Sequence, residues 1–369
     1  MARWLELPKA LWEQIYEKLD TVACHSFSGT CSSFQSLAME NQCRRLSSPL
    51  LMLPGKENST PREFYSVSDD RTCEINLPEL HGKWCLGSSY GWLFTVDSNS
   101  GEISLLNPIT KAQILLPPLS AFSDPPGLRE EERGGERNIK YIERATISEN
   151  PSTSNDFVVI AIFTDLRVFA FCKPGDKSWT TLTRQGDHCE DVIWHKKKFY
   201  AITNWGALKR WEHCHVDAPV ETVIPAPKDE ECLHRYLVET PGGALLKVCR
   251  HREWEEDDED GDEGHSHSLT FKVCILDENG KRWIRVKNME VALFVGYNRA
   301  ICASAIDDCP GIQANSIYFT DDYFEGYYEN PYGCFDNGVF SLEDESIKRI
   351  CNNPPVWCSP CIWISPSPR

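Results

Sequence analysis

The sequence lacks the features that mark membrane, secreted and nucleic-acid-binding proteins. Nowhere do eighteen apolar residues follow one another, so we expect no transmembrane helix. No basic segment followed by an apolar core opens the sequence, so we expect no secretory signal. Lys and Arg total 38 against 55 Asp and Glu, a net charge of −17, whereas nucleic-acid binders present basic faces. These absences predict an intracellular protein, nuclear or cytoplasmic, with no nucleic-acid or membrane partner.

Motifs typical of enzymes and metal sites are also missing. No Gly-x-Ser-x-Gly, phosphate-binding loop or His-Glu-x-x-His sequence occurs. Cys358 and Cys361 have the spacing of half a zinc site, but a tetrahedral site needs two more ligands and no second pair is present. Residues 213–215 (His-Cys-His) and 265–267 (His-Ser-His) suggest only adventitious metal binding. We therefore predict no catalytic residue, no cofactor and no metal.

Adjacent carboxylates are the one pattern that could indicate catalysis. They occur at Asp69–Asp70, Asp307–Asp308 and Asp321–Asp322. Glycosidases place two carboxyl groups across a cleft, but adjacent aspartates at strand ends are more often turn residues. We interpret these pairs as turns. The alternative, a hydrolase, predicts that Asp321→Asn abolishes an activity.

Cysteine, by contrast, is abundant. The seventeen cysteines are odd in number and no secretory signal is visible, so we expect reduced thiols that pack as small apolar side chains. With 41% hydrophobic and 11% aromatic residues, the composition is that of a packed globular protein.

An amphipathic helix is predicted close to the N-terminus. Pro8 suits the first turn of a helix, because its missing N–H has no partner there in any case. Leu11, Ile15 and Leu19 then recur every four residues, and Trp12 widens the same stripe. The stripe predicts a helix that needs an apolar surface to cover it.

Two more short helices are predicted within residues 1–48. One covers residues 22–27, and the next begins at about Cys31, with Phe34 and Leu37 on one side. Three short helices cannot bury much surface by themselves. This helical domain therefore predicts a binding partner.

The sequence pattern changes after this domain, from helical periodicity to short apolar runs. Residues 49–62 predict a linker, with Gly and Pro and no apolar period. From 63 to 366, short runs of Val, Ile, Phe, Tyr and Leu bounded by turn residues predict antiparallel strands. Charged stretches near 129–137 and 253–268 predict loops that project from this β domain.

A weak repeat predicts how the strands are arranged. Residues 169–179 and 273–283 both consist of a strand, a Gly turn, a basic residue and a Trp that starts the next strand. Such units suggest a β-propeller of antiparallel four-stranded blades; a sandwich or two smaller β domains is the alternative. The apolar segment 354–364 predicts a last strand that pairs back to close the ring.

Both parts of the chain resemble known families. The helical part is similar to an F-box through Leu7-Pro8, the Leu11, Ile15 and Leu19 stripe and residues 31–34. The β part resembles the KIB-type propeller of plant F-box proteins, a SKIP-like group, in blocks that keep their order along the chain. Those blocks include residues 87–93, 106–110, 174–179, 191–195, 236–239, 292–296 and 317–322.

The resemblance implies a non-catalytic receptor subunit of an SCF-type (Skp–cullin–F-box) ubiquitin ligase. The helices would dock a Skp-type adaptor, and through it a cullin, while the propeller binds an unknown target protein. The adaptor-binding residues that it implies are Leu7, Pro8, Leu11, Ile15, Leu19, Phe34 and Leu37.

Two positions depart from the usual F-box pattern. Thr30 and Phe34 stand where F-boxes usually carry Val and Trp. They motivate a second hypothesis, in which the helices no longer dock and the propeller acts as a scaffold or a blocker of its partner.

Overall fold

Short strands follow one another along most of the chain and form six separate sheets. The structure is a computed structural model that describes residues 7–19, 23–24, 48–55, 59–121, 142–163, 168–182, 188–211, 221–227, 232, 234–255, 265–277, 279, 281–304, 311–322, 336–350 and 361–366. Helix α1 covers Lys9–Lys18. Among the helices of these residues, none is both long and apolar enough to span a membrane.

The six sheets are the blades of a propeller, numbered here in chain order. Blade 1 starts with β1 (Leu50–Met52), β2 (Pro61–Ser66) and β3 (Arg71–Asn76). Blade 2 contains β4 (Lys83–Ser89), β5 (Trp92–Asp97), β6 (Ile103–Leu106) and β7 (Gln113–Leu116). Blade 3 contains β8 (Ile142–Ile147), β9 (Val159–Phe163), β10 (Val168–Cys172) and β11 (Thr180–Thr181).

The second half of the ring continues the same order. Blade 4 contains β12 (Cys189–His195), β13 (Lys198–Thr203), β14 (Leu208–Trp211) and β15 (Glu221–Ile224). Blade 5 contains β16 (His234–Glu239), β17 (Leu245–Glu255), β18 (His265–Asp277) and β19 (Arg282–Val286). Blade 6 contains β20 (Val291–Val295), β21 (Ile301–Ser304), β22 (Ser316–Phe319), β23 (Gly338–Ser341) and β24 (Ile347–Lys348), and β25 (Ile362–Ile364) follows.

Strand β25 closes the ring, as the sequence predicts. It pairs antiparallel with β1, with Leu51 opposite Trp363, and so joins blade 1. Trp363 is fully buried, and its ring meets Phe294 of blade 6 edge-on at 4.9 Å. The first and last strands of the propeller therefore share one sheet.

Neighbouring blades pack through apolar side chains from both sheets. Ile193 and Tyr200 of blade 4, for example, lie in one buried cluster with Leu237 and Leu245 of blade 5. Strands near the centre, such as β9, are buried along their whole length, whereas the outer strand β19 is mostly exposed. Of the three tryptophans for which the sequence predicts core positions between blades, Trp92 and Trp179 are buried, whereas Trp283 on β19 is half-buried. A continuous apolar run such as β9 thus marks a strand whose two faces are covered by the two neighbouring blades.

Blade 6 departs from the four-stranded pattern. Strand β20 pairs with β22 in parallel and with β21 antiparallel, so this sheet has five strands in the order β21, β20, β22, β23, β24. The connection from β20 to β21, residues 296–300, lies against blade 2, where Arg299 N–H donates to the Ser88 carbonyl at 2.8 Å. Gly87 permits this approach, since an added Cβ would lie 2.4 Å from the Tyr297 carbonyl oxygen.

Two predicted boundaries are wrong. The expected linker 49–62 contains strand β1 and the start of β2, because Leu50, Leu51 and Met52 are buried between β2 and β25. The expected loop 253–268 is shorter, because β17 and β18 continue into it as a long hairpin that pairs Glu255 with His265. The charged stretch 129–137 and the centre of the acidic tract, 256–264, lie outside the described residues.

Candidate functional site

Helix α1 presents part of its predicted stripe to solvent. The Pro8 carbonyl accepts the Leu11 N–H at 2.9 Å, so the helix starts where the sequence predicts. Leu11 is 43% exposed, whereas Trp12 is 1% exposed. Ile15 is half-buried. The stripe therefore divides into a buried edge at Trp12 and an accessible edge at Leu11.

The other predicted adaptor-binding residues are partly accessible or outside the described part of the chain. Leu7 and Leu19 are half-buried, and Pro8 is exposed. Phe34 and Leu37, together with the predicted third helix, lie outside the described residues. The role of all seven residues in adaptor binding stays a prediction.

A cluster of buried charges, the Asp322 cluster, lies at the first residue of β16. Asp322 follows β22, and its carboxylate accepts from Arg144 at 3.2 Å and from Arg250 at 3.0 Å. Arg252 and the Tyr236 hydroxyl donate to the same carboxylate. Arg250 also pairs with Asp336 at 2.8 Å. The remaining members of this cluster are His234, Ser268 and Asp321.

The positive and negative side chains of the Asp322 cluster are equal in number. Three arginines face three aspartates, and burial would raise the pKa of Asp322, but the charges of the arginines hold it well below its ordinary value. Burial lowers the pKa of His234 to about 3, so the imidazole is neutral at pH 7 and the arginines are the charged partners. The Asp322 carboxylate is ionised and occupied on both oxygens. This arrangement stabilises the junction of blades 3, 5 and 6.

The interpretation of Asp321–Asp322 as plain turn residues is therefore wrong for Asp322. Its partners lie 70 to 178 positions away in the sequence, and no local pattern identifies them. Asp69–Asp70 does form a turn, in which Asp70 has a positive φ of 48°. Asp307–Asp308 lies outside the described residues.

Two further carboxylates are buried on β12. Asp191 accepts the Leu237 N–H of blade 5 at 2.7 Å, and burial raises its pKa to about 6 despite the charge of Arg144. Glu190 pairs with Arg235 at 3.2 Å. Both contacts connect blade 4 to blade 5, which is a structural role.

A second polar region, the Glu239 pocket, lies at the last residue of β16. Its volume is about 330 Å³. Blades 2, 5 and 6 and the residue after β25 contribute to its wall. The described lining residues are Ser88, Ser89, Tyr90, Glu239, Thr240, Pro241, Gly243, Arg299, Ala300, Ile301, Cys302 and Ser365.

One cation and one anion face each other in this pocket. The Arg299 guanidinium lies 3.4 Å from the Glu239 carboxylate and 4.6 Å from the centre of the Tyr90 ring. The other oxygen of Glu239 accepts from His195 Nδ1 at 2.9 Å. The side chain of Glu239 is 31% exposed. The pair is thus loosely engaged and open to a ligand.

Polar atoms of the pocket wall have unused hydrogen-bonding capacity. The Ser89 hydroxyl and Arg299 Nε are both buried and have no hydrogen-bond partner in the structure. Buried polar groups are usually satisfied, so such atoms beside a cavity are notable. Sequence reasoning missed Ser89, Glu239 and Arg299, because each lies at the end of an otherwise apolar strand or in a connection.

The predicted metal-competent residues do not form a site within the described residues. No group of three His, Cys, Asp or Glu side chains is placed there to share a metal ion. Cys361 is buried next to β25, whereas Cys358 and residues 213–215 lie outside the described part. Residues 265–267 belong to strand β18.

Comparison with known proteins places the chain in a family. Residues 64–341 match the model of the KIB1-4 beta-propeller. An Arabidopsis thaliana F-box protein is 23% identical over 384 residues, which cover 98% of this chain and 99% of that protein. The A. thaliana F-box protein SKIP23 is 23% identical over 407 residues, covering 100% and 97%. The A. thaliana F-box protein KIB2 is 22% identical over 371 residues, covering 92% and 75%.

The family model covers every strand from β3 to β23, and the full-length matches include helix α1. The six blades and the closing strand agree with a propeller. The chain therefore belongs to the KIB1-4 β-propeller family of plant F-box proteins.

Proposed function

We propose that this protein is the substrate-recognition subunit of an SCF-type ubiquitin ligase. Helix α1 and the residues that follow it dock a Skp-type adaptor, and through it a cullin, while the propeller holds a target protein. The observation that carries the proposal is the full-length similarity to proteins named F-box proteins, which includes the N-terminal helix.

The accessible edge of α1 supports this assignment. A leucine that is 43% exposed on a ten-residue helix contributes apolar area that a partner can bury. The segment has a side that faces inward at Trp12 and a side open to another protein at Leu11. An F-box requires both, since it must attach to its own chain and to the adaptor.

The mechanism under this proposal is proximity. The receptor makes and breaks no covalent bond; it raises the effective concentration of the target near the ubiquitin-carrying enzyme. The buried carboxylate of Asp322 agrees with this role, because arginines engage it.

The test is co-purification of the full chain with a Skp-type adaptor and a cullin. The double variant Leu11→Asp/Ile15→Asp places one charge at the exposed Leu11 and one at the half-buried Ile15, so recovery of adaptor should fall at least tenfold. The control Ala10→Asp adds a charge at an exposed position on another side of the same helix and should leave recovery unchanged. Equal recovery by wild type and the double variant would contradict the proposal and favour the non-ligase scaffold or blocker.

A further inference from the structure

The Glu239 pocket has the properties of a recognition site that the family assignment does not explain. At about 330 Å³ it lies at the lower end of the range for ligand sites, and it accommodates one side chain with its flanking backbone. Ala300, Ile301 and Pro241 supply apolar wall, whereas Ser89, Glu239 and Arg299 supply polar atoms. The pocket therefore suits a small group that is polar at its tip.

The charges in the pocket decide which polar group fits. Glu239 and Arg299 carry opposite charges 3.4 Å apart, so their sum is zero. A carboxylate ligand would gain Arg299 but meet Glu239, and an ammonium ligand would gain Glu239 but meet Arg299. A neutral group that both accepts and donates hydrogen bonds avoids either repulsion.

The unused hydrogen-bonding atoms point to the same group. Ser89 Oγ and Arg299 Nε can donate to an acceptor, and the exposed part of the Glu239 carboxylate can accept from a donor. A primary amide carries one oxygen acceptor and an NH₂ donor about 2 Å apart. Both donor atoms are buried in the structure, so binding requires the Ser89 hydroxyl and the Arg299 side chain to rotate toward the cavity.

We propose that the Glu239 pocket binds the side-chain amide of an asparagine or glutamine in a target polypeptide. Ser89 and Arg299 donate to the amide oxygen, and Glu239 accepts from the amide nitrogen. This inference rests on the proposed function, because that function supplies a protein target. It assigns the contact by which the propeller recognises one residue of that target.

The first experiment compares two blocked amino acids that differ only in charge. N-acetyl-glutamine methylamide and N-acetyl-glutamate methylamide are titrated into the purified full chain at pH 7 and followed by calorimetry. The amide should bind at least tenfold more tightly than the carboxylate, since the carboxylate meets Glu239. Equal or tighter binding of the carboxylate would overturn the proposal in favour of an anion site, and no binding of either would overturn it altogether.

A third probe separates a polypeptide from a free small molecule. Free glutamine has the same side chain but charged amino and carboxyl groups where a polypeptide has neutral amides. It should bind more weakly than the blocked form. Tighter binding of free glutamine would overturn the assignment to a polypeptide.

Variants in the pocket test the named atoms. Ser89→Ala should weaken binding of the blocked glutamine about fivefold, the equivalent of one hydrogen bond. Its unfolding temperature should stay the same or rise, because the substitution removes a buried hydroxyl with no partner. Ser48→Ala is the matched control: Ser48 is also buried with an unpartnered hydroxyl, but it does not line the pocket.

These outcomes are independent of the test of the proposed function. Probe binding is measured on the purified chain alone, whereas the α1 variants report adaptor recovery. Loss of the amide preference with intact adaptor recovery would overturn only the pocket assignment. Intact amide preference without adaptor recovery would leave a pocket on a protein that is not a ligase subunit.

Discussion

The two ends of strand β16 use the same residue types in opposite ways. At His234, three arginines and three aspartates are buried and engage one another. At Glu239, about 16 Å along the strand, one arginine and one glutamate meet at 3.4 Å beside a cavity. In the first region arginines engage both oxygens of the Asp322 carboxylate, and only Arg252 Nε among the atoms described there is unmatched; the second lies beside a cavity and retains unused donors and acceptors.

The difference shows that charge in a propeller centre does not by itself indicate a ligand site. A buried ion pair requires every neighbouring hydrogen-bonding group to be matched, and the Asp322 cluster approaches this condition. A recognition site must leave some groups unmatched until its ligand arrives. Unmatched groups beside a cavity distinguish the Glu239 pocket from the cluster.

The largest expected effect comes from Asp322→Asn. It leaves three buried guanidinium groups without their shared carboxylate, so the free energy of unfolding should fall by about 3–5 kcal/mol. The matched change Glu239→Gln removes a carboxylate that is 31% exposed and should cost less than about 1 kcal/mol. Urea denaturation of both variants measures the contrast, and equal losses would contradict the distinction between the two regions.

Gly87→Ala tests the contact between blade 2 and the connection to β21. Gly87 has a φ of 144° and the added Cβ would lie 2.4 Å from a backbone oxygen, so we expect a loss of about 2–3 kcal/mol. Gly175→Ala is the control, since Gly175 has a φ of 86° but no atom within 4 Å of its added Cβ. It should cost only about 1 kcal/mol, for backbone strain. Thermal unfolding that ranks the two in the reverse order would refute the close approach.

The smallest expected effect is a change in pH dependence. Because the pKa of Asp322 is lowered in the folded protein, its stabilising contribution is complete above the unfolded pKa of about 3.9 and is lost as pH falls further. Asp322→Asn should therefore flatten the fall in unfolding free energy between pH 5 and 2. The free energy of unfolding of Glu239→Gln, measured over the same pH range, is the comparison. If the free energy of unfolding of Asp322→Asn falls as steeply with pH as that of wild type, other groups cause the dependence, among them His234, whose pKa is also lowered in the folded protein.

Much of the fold can be predicted from the sequence because blades are local. Each four-stranded sheet is built largely from consecutive strands, so apolar runs and turn residues indicate it directly. The closing strand is also predictable, since residues 362–364 are apolar and a propeller must join its ends. Strand β1 is missed because it has only three residues and follows Pro49.

The sites are less predictable because they depend on contacts between blades. Arg250 ends a run of buried residues, 245–250, and nothing local shows that it meets Asp322, 72 positions later. Ser89 and Arg299 are 210 positions apart, and only ring closure brings them to one pocket. Helix α1, by contrast, follows from the four-residue period of its apolar side chains, but the same period does not show that Trp12 is buried while Leu11 is exposed.

The pairing of β1 with β25 also determines how long β1 stays without its partner strand while the protein is synthesised. Strand β1 ends at Met52 and its partner begins at Ile362, about three hundred residues later. At a translation rate of roughly 5–20 residues per second, that interval is on the order of 15 to 60 seconds. During it, one edge of blade 1 has no partner strand, and this unpaired edge is a template for pairing with other chains. A nascent chain of this protein is therefore expected to need protection at β1 until its final strand has left the ribosome.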